Sequence, residues 1–288
     1  MKKRKNWIVH LFLANLAILC VLPLLLIISI SLSSMDSIFN EGYKFLPRGL
    51  NFDAYKFILR DSKQIFDSYW VSIKLTFIGT LVSLILTAAI AYPLSRNDFK
   101  YQKLFMFFVF FTMLFNGGLV PWYMLITNGL HLKDTLSVLI LPYLLNAWYV
   151  ILMRTYFKSI PYSLIEAAKI DGSSEIYTFI KIILPMSKPA LATVGLLTML
   201  RYWNDWWLGM LFVESDNLVP LQYLMHRIMS NLEELQKEVS LYASSMENFP
   251  SEPARMAMAI IAAGPMLFIF PFFQKYLVKG MTVGSVKG

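Results

Sequence analysis

Thirty residues without a formal charge separate Lys5 from Asp36, and four basic residues, Lys2 to Lys5, stand directly before them. About 20 apolar residues in a helix are enough to cross the hydrocarbon core of a bilayer. A cleaved secretory signal has a shorter apolar region and ends in a small-residue cleavage site. The N-terminal region is therefore predicted to be a retained transmembrane helix.

Apolar runs of similar length recur along the rest of the chain. Of its 288 residues, 57% are hydrophobic and 15% are charged, which is more apolar surface than one soluble core can bury. We predict further spans at about 69–95, 104–127, 135–153, 189–213 and 256–273. The lone Cys20 lies in the first apolar run and excludes an internal disulfide. The predicted fold class is an all-α integral membrane protein with six transmembrane helices.

The distribution of charge predicts the orientation of these spans. The loops on the side of the N-terminus carry fifteen basic and four acidic residues, whereas the opposite loops carry nine basic and thirteen acidic residues. Positive residues are retained on the cytoplasmic side of membrane proteins. Both termini are therefore predicted to be cytoplasmic. The net charge of +8 then follows from topology, and nucleic acid is not needed as a partner.

One polar segment, 166–185, lies in the loop between the fourth and fifth predicted spans, on the cytoplasmic side. It contains Glu166, Ala167 and Ala168, then Gly172 after three residues, and Ile182, Leu184 and Pro185 after nine more. This spacing resembles the cytoplasmic signature loop in the membrane-spanning subunits of bacterial ABC importers. In that family a short helix of the loop docks into a cleft of the ATPase subunit. Residues 162–170 favour a helix, and Asp171 with Gly172 favours its end.

The resemblance implies which residues couple this chain to an ATPase. The backbone of the small alanines would approach the partner closely, and the acidic side chain would meet a basic partner residue. The implied coupling residues are Glu166, Ala167, Ala168, Asp171, Gly172, Ile182, Leu184 and Pro185.

Two further regions are similar to the carbohydrate branch of the same family. They are the Trp203-Asn204-Asp205-Trp206 run and the tail 274–288, which is similar to that of the second, maltose-type permease. The resemblance implies a heterodimer with a longer permease, an ATPase dimer, and a lipid-anchored or periplasmic sugar-binding protein. It also implies membrane lipid as surroundings, no cofactor and no enzymatic activity in this chain, since ATP hydrolysis would belong to the separate ATPase.

Polar residues within the spans are candidates for the transport pathway. Arg201 and Asp205 are four residues apart and would share a helix face, either as a structural ion pair or as a gate that faces the sugar. The neighbouring aromatic residues suit either a membrane-interface belt or a sugar pathway. The pathway candidates are Tyr202, Trp203, Asn204, Asp205 and Trp206, with Asn116, Asn146 and Tyr149 on the third and fourth spans.

The chain is predicted to divide into residues 1–68, with the first helix and an outer loop, and a permease core, 69–288. The core includes the coupling loop 154–188, an outer loop 214–255 and the cytoplasmic tail 274–288. Apolar residues at helical spacing in 218–242 predict either a packed interfacial helix or a docking surface for the binding protein.

Two other functions are compatible with the composition. The chain could carry a non-carbohydrate substrate, such as a peptide or a lipid-linked molecule. It could also be an integral membrane enzyme that acts on glycan or lipid head groups. Such an enzyme normally gathers acids or histidines at one membrane face, whereas the cytoplasmic acids here are few and dispersed. The three histidines are far apart in sequence, so no metal site is expected.

Overall fold

A computed structural model describes residues 2–242 and 251–285, and every regular element within these ranges is a helix. The all-α prediction is therefore confirmed. The helices are α1 Lys2–Ser31, α2 Met35–Glu41, α3 Asp53–Ile58, α4 Ser62–Ser95, α5 Gln102–Leu114, α6 Leu119–Met124, α7 Leu136–Ile140, α8 Ala147–Lys158, α9 Tyr162–Ile170, α10 Glu175–Thr178, α11 Leu184–Met186, α12 Lys188–Trp203, α13 Trp207–Phe212, α14 Leu221–Tyr242 and α15 Ser251–Ser285. Short 3₁₀ or π segments at Leu59–Asp61, Leu125–Gly129, Leu141–Tyr143, Phe179–Ile183 and Asp216–Leu218 adjoin them.

Three segments are long and apolar enough to cross a membrane without a break: Trp7–Ser31, Lys63–Ser95 and Glu252–Gln274. Three bent pairs meet the same test when each pair is taken together. They are Gln102–Leu114 with Leu119–Gly129, Leu136–Tyr143 with Ala147–Lys158, and Glu175–Met186 with Lys188–Trp203. By length and composition, the described residues therefore contain three segments able to cross a membrane, or up to six if each bent pair is one span.

The bends fall where the sequence weakens a helix. The sharpest, 111°, separates α5 from α6 at a break that contains Gly117 and Gly118, shortly before Pro121. The pair Leu136–Tyr143 with Ala147–Lys158 is bent by 51°. Asn146 caps the second helix of this pair, α8, because its Oδ1 accepts the backbone N–H of Trp148 at 2.9 Å. Glycine and proline loosen a membrane helix, which accounts for the irregular backbone within the third predicted span.

The fifth predicted span, 189–213, differs from the observed structure. Helix α12 ends at Trp203, and α13 begins only at Trp207. The backbone N–H of Leu208 is accepted by the side chain of Asp205 at 3.2 Å. An acidic residue that bonds the first N–H groups of a new helix favours a break at this point.

The chain forms two compact units. One contains Met1–Phe66 with Leu224–Pro265, and the other contains Asp67–Tyr223 with Met266–Gly288. In the first unit, Ser29 Oγ donates to Lys44 O at 2.7 Å, and Tyr43 Oη donates to Glu252 at 3.3 Å. Residues 243–250 of the predicted outer loop and 286–288 of the predicted tail lie outside the described residues.

An apolar core in the second unit joins the end of α4 to the loop that carries the signature segment. Its buried residues include members of α4, α8 and α12, among them the fully buried Met153 of α8. Ile165 of α9 and Ile183 of the π segment Phe179–Ile183 belong to the same core. Helix α9 is therefore packed onto the bundle of this unit.

Candidate functional site

Helix α9 has one face toward its own unit and one face toward solvent. Ile165 and Ala168 are buried, whereas Glu166 and Ala167 are exposed and Ile170 is 86% exposed. The helix begins at Tyr162 and ends at Ile170, as predicted. Apolar and acidic side chains on an outward face of a short helix form a surface that suits a protein partner.

The end of α9 is set by the backbone conformation of the next two residues. Asp171 is the C-cap, and its N–H donates to Ala167 O at 3.0 Å. Gly172 then takes a φ of +74°, the left-handed conformation that glycine adopts without steric cost. The predicted helix end at Asp171 and Gly172 is confirmed.

The remaining residues of the signature segment lie on short helical pieces. Ser174 caps α10, where its Oγ accepts the N–H of Tyr177 at 3.2 Å. Ile182 and Leu184 are half-buried, and Pro185 is exposed. The alanines expected to approach a partner differ from each other, because Ala168 is buried in this chain and Ala167 is exposed.

Four charged side chains and one tyrosine form a cluster that connects the signature segment to the end of α4. We call Tyr92, Arg96, Asp98, Lys169 and Glu175 the Arg96 cluster. Arg96 donates to both carboxylate oxygens of Asp98, at 2.9 and 2.6 Å, and to those of Glu175 at 3.3 and 3.4 Å. Lys169 of α9 reaches the same two carboxylates at 3.1 and 3.2 Å. Arg96, directly after α4, thus links the end of α4 to Glu175 of α10. Lys169 links α9 to Asp98 and to Glu175.

Aromatic rings complete the environment of Arg96. Its guanidinium carbon lies 5.8 Å from the ring centroid of Tyr92 and 5.6 Å from that of Tyr162, the first residue of α9. The Tyr92 ring stacks on Phe179 with centroids 4.9 Å apart. An open cavity of about 390 Å³ lies against these groups. Only 6% of the Arg96 side chain is exposed, so the cation depends on its carboxylate partners.

The charges of the Arg96 cluster stabilise each other. Hydrogen bonds from Arg96 hold the pKa of the Asp98 carboxyl well below its usual range, and Lys169 lowers it further. Hydrogen bonds to Asp98 and then Glu175 raise the pKa of Lys169. Asp98 also raises the pKa of Arg96. All three groups therefore stay ionised at neutral pH.

A second group of polar side chains lies at the C-terminal end of α12, the end farther along the chain from the signature segment. The hydroxyl of Tyr143 donates to Asp205 Oδ1 at 2.6 Å, and the hydroxyl of Tyr202 donates to Ile140 O at 2.9 Å. Arg201 is exposed and stacks on the Tyr143 ring, with its guanidinium carbon 4.1 Å from the ring centroid. Within the described residues, Arg201 and Asp205 do not form the ion pair that their spacing suggested, because the helix that would align them ends at Trp203.

The pathway candidates fall into two groups by exposure. Tyr202, Trp203 and Asp205 are buried in this unit, at 1%, 2% and 8% exposure. Asn204 and Trp206 are exposed at the end of α12, and Asn116 is exposed at the break after α5. Asn146 caps α8, and Tyr149 is half-buried within that helix. All eight stay pathway predictions.

Sequence reasoning missed the Arg96 cluster as a site. Arg96, Asp98, Lys169 and Glu175 entered only the orientation argument, as charges in cytoplasmic loops. The cluster joins residues up to 83 positions apart, and only the fold shows which carboxylate meets which cation. The available signal was the Arg-Asn-Asp run directly after a predicted span. In the described ranges, no three His, Cys, Asp or Glu side chains are placed to hold a metal ion.

The fold and this site together define an all-helical membrane protein with a helical loop, 154–188, that packs on the bundle and exposes an outer face. Residues 79–283 match the family described as the binding-protein-dependent transport system inner membrane component. The chain belongs to this family and is a multi-pass permease subunit of a binding-protein-dependent ABC transport system. The alternative of a membrane enzyme is thereby disfavoured.

Individual relatives match almost the whole chain. It is 37% identical to the polygalacturonan/rhamnogalacturonan transport system permease protein YtcP of Bacillus subtilis, over 98% of each chain. It is 27% identical to the arabinooligosaccharides transport system permease protein AraQ of the same organism, over 96% of this chain and 94% of that one. The structure is similar to that of a bacterial ABC transporter involved in the import of the acidic polysaccharide alginate. The TM-score is 0.80 and the identity 32%, over 96% of this chain and 98% of that one.

Proposed function

We propose that this chain is one of two permease subunits of an importer for an oligosaccharide or complex glycan. It crosses the membrane six times, with both termini in the cytoplasm. A separate ATPase dimer hydrolyses ATP, and an extracellular binding protein delivers the sugar. The proposal is supported by relatives whose names specify polygalacturonan, rhamnogalacturonan and arabinooligosaccharide transport.

The observation that carries the mechanism is the double attachment of α9. Its inner face is packed through Ile165 into the core of the unit, and Lys169 is bonded to the Arg96 cluster. Its outer face presents Glu166 and Ile170 to solvent. A rigid element with one face anchored and one face free transmits displacement when a partner grips the free face.

In this mechanism α9 is the coupling helix. Closure of the ATPase dimer displaces α9, and the displacement reaches α4 through Ile165 and the Arg96 cluster. Because α4 is continuous for 34 residues, about 50 Å at 1.5 Å per residue, it extends from the cluster through the depth of the bilayer. Movement of α4 against its neighbours then changes access to the pathway. This chain forms part of the gate, and the ATPase supplies the free energy.

The test is the sugar-stimulated ATPase activity of the assembled complex. Glu166→Lys reverses the charge of the exposed face, and Gly172→Val forces a β-branched residue into a φ of +74°. Either variant is expected to lower the stimulation at least tenfold. Asp36→Lys is the matched charge reversal, at an exposed position in the first turn of α2, and is expected to leave stimulation unchanged. If either α9-region variant retains normal stimulation, the coupling role is refuted.

A further inference from the structure

We propose that Arg201 binds a carboxylate of the transported glycan, and that the substrate class is therefore uronate-containing oligosaccharides. This inference rests on the proposed function, since it requires α12 to border the sugar pathway. It assigns to Arg201 a role in the substrate selectivity of the importer.

Asp205, four residues along the chain, forms no ion pair with Arg201 in the described residues. Both oxygens of Asp205 already accept hydrogen bonds, Oδ1 from the Tyr143 hydroxyl at 2.6 Å and Oδ2 from the Leu208 N–H at 3.2 Å. Asp205 is buried, whereas Arg201 is exposed. The guanidinium carbon instead lies 4.1 Å from the centroid of the Tyr143 ring, a cation–π contact, and it makes no ion pair within the described part of the chain. An exposed guanidinium without an ion pair can donate to a ligand.

Arg201 lies in a segment that meets the criteria for a membrane span, the bent pair Glu175–Met186 with Lys188–Trp203. An arginine at the centre of a membrane helix costs about 2.5–3.5 kcal/mol on insertion scales, and such residues face the bundle interior or a water-filled cavity. Contact of Arg201 with water or with another subunit is therefore favoured over contact with lipid.

The side chains near Arg201 suit an acidic sugar. A guanidinium donates two parallel hydrogen bonds to a carboxylate. Asn204, one turn further along, is exposed and offers both a donor and an acceptor to sugar hydroxyls. Trp206 and Trp207 are each 38% exposed, with ring centroids 5.8 Å apart at 89°, and such rings stack on the C–H faces of pyranoses. A neutral glycan would require the aromatic and amide groups but no cation.

The main competing role for Arg201 is an ion pair with an acidic residue of the second permease. The two roles differ in their dependence on substrate charge. A subunit contact affects the transport of every substrate equally, whereas a substrate contact affects only substrates that carry the carboxylate. Comparison of an acidic oligosaccharide with its esterified form therefore separates them.

The experiment uses the complete importer in proteoliposomes and measures uptake of trigalacturonate and of its methyl ester. Arg201→Gln is expected to lower uptake of the acid at least tenfold and to change uptake of the ester by less than twofold. Arg201→Lys is expected to restore part of the loss, because it keeps the charge without the two-pronged donor. Lys74→Gln is the matched control: Lys74 is also exposed, and its Nζ is 5.5 Å from the Trp70 ring centroid.

Three results overturn the inference. The first is an equal loss of acid and ester uptake in Arg201→Gln, and the second is no loss of uptake of either substrate. The third is a loss of the preference for the acid in Lys74→Gln that is as large as the loss in Arg201→Gln. The last result would assign the preference to overall charge. Uptake of a neutral arabinooligosaccharide but not of trigalacturonate by the wild type would refute the acidic substrate and leave the proposed function intact. Uptake of no oligosaccharide at all would refute the proposed function itself.

Discussion

Replacing Arg96 by methionine should weaken the attachment of the signature segment to the end of α4 without changing the apolar core. Methionine keeps most of the length of the side chain and removes its charge. The variant loses the paired bonds to Asp98, at 2.9 and 2.6 Å, and the longer contacts to Glu175. Lys169 still reaches both carboxylates, so the connection is weakened and not abolished.

The size of the effect follows from exposure. Hydrogen bonds to charged groups contribute about 1.5–3 kcal/mol when buried, and exposed ion pairs about 0–1 kcal/mol. Arg96 is buried, but the Asp98 and Glu175 side chains are 43% and 55% exposed. We therefore assign about 1.5 kcal/mol to the Asp98 pair and about 0.5 kcal/mol to the Glu175 pair. Only the Glu175 pair links Arg96 to the segment, since Asp98 lies two residues after Arg96 on the same connection. Its loss of about 0.5 kcal/mol corresponds to about twofold more frequent opening of the segment, and the loss of the Asp98 pair weakens the turn after α4.

The assay is hydrogen exchange of the backbone around residues 171–178 in the assembled complex, together with sugar-stimulated ATPase activity. Arg96→Met is expected to speed exchange there by about twofold and to lower stimulation several-fold. Arg96→Lys should give an intermediate result. Arg60→Met, at an exposed position outside the cluster, is the control. Exchange and stimulation equal to those of the control would refute the role of the cluster.

The same cluster predicts a flat response to pH near neutrality. The lowered pKa of Asp98 means that its stabilisation is complete above the usual carboxyl pKa of 3.8 and is lost only as pH falls through the lowered value. The raised pKa of Lys169 means that its contribution is complete below 10.5 and is lost as pH rises through the raised value. Exchange around residues 171–178, corrected for its intrinsic rate, should therefore not change between about pH 5 and 9. A marked change in that window would contradict the assignment.

Two further perturbations test the packing of the second unit. Gly79→Ala should destabilise the protein by about 1–3 kcal/mol, because the new Cβ would lie 2.5 Å from the Tyr202 ring. Gly264→Ala is the control and should not destabilise it, because no described atom outside its own stretch of helix lies within 4 Å of the new Cβ. Thermal unfolding in detergent measures both effects. The Asp134 carboxylate accepts the backbone N–H groups of Glu214 at 3.0 Å and Ser215 at 2.9 Å. Asp134→Ala should speed hydrogen exchange at these two N–H groups, whereas Asp134→Asn should largely preserve both hydrogen bonds. Similar exchange in Asp134→Ala and the wild type would show that this contact does not order the segment.

The sequence by itself determined the class of protein, because hydrophobic length and charge asymmetry are local properties of the chain. A long charge-free run is a membrane helix wherever the rest of the chain lies. The extent of α9 was equally local: helix-forming residues lead to Ile170, and Gly172 allows the left-handed turn that ends the helix. The spacing in 166–185 then identified a family that the comparisons confirmed.

Only the tertiary structure decided which charges meet and which side chains remain exposed. Arg96 and Glu175 are 79 residues apart, and no period in the sequence links them. The spacing of Arg201 and Asp205 predicted a shared helix face, but the chain leaves the helix between them and the carboxylate bonds Tyr143 instead. Ion pairing depends on distances of a few ångströms between distant segments, which the fold sets and local periodicity does not.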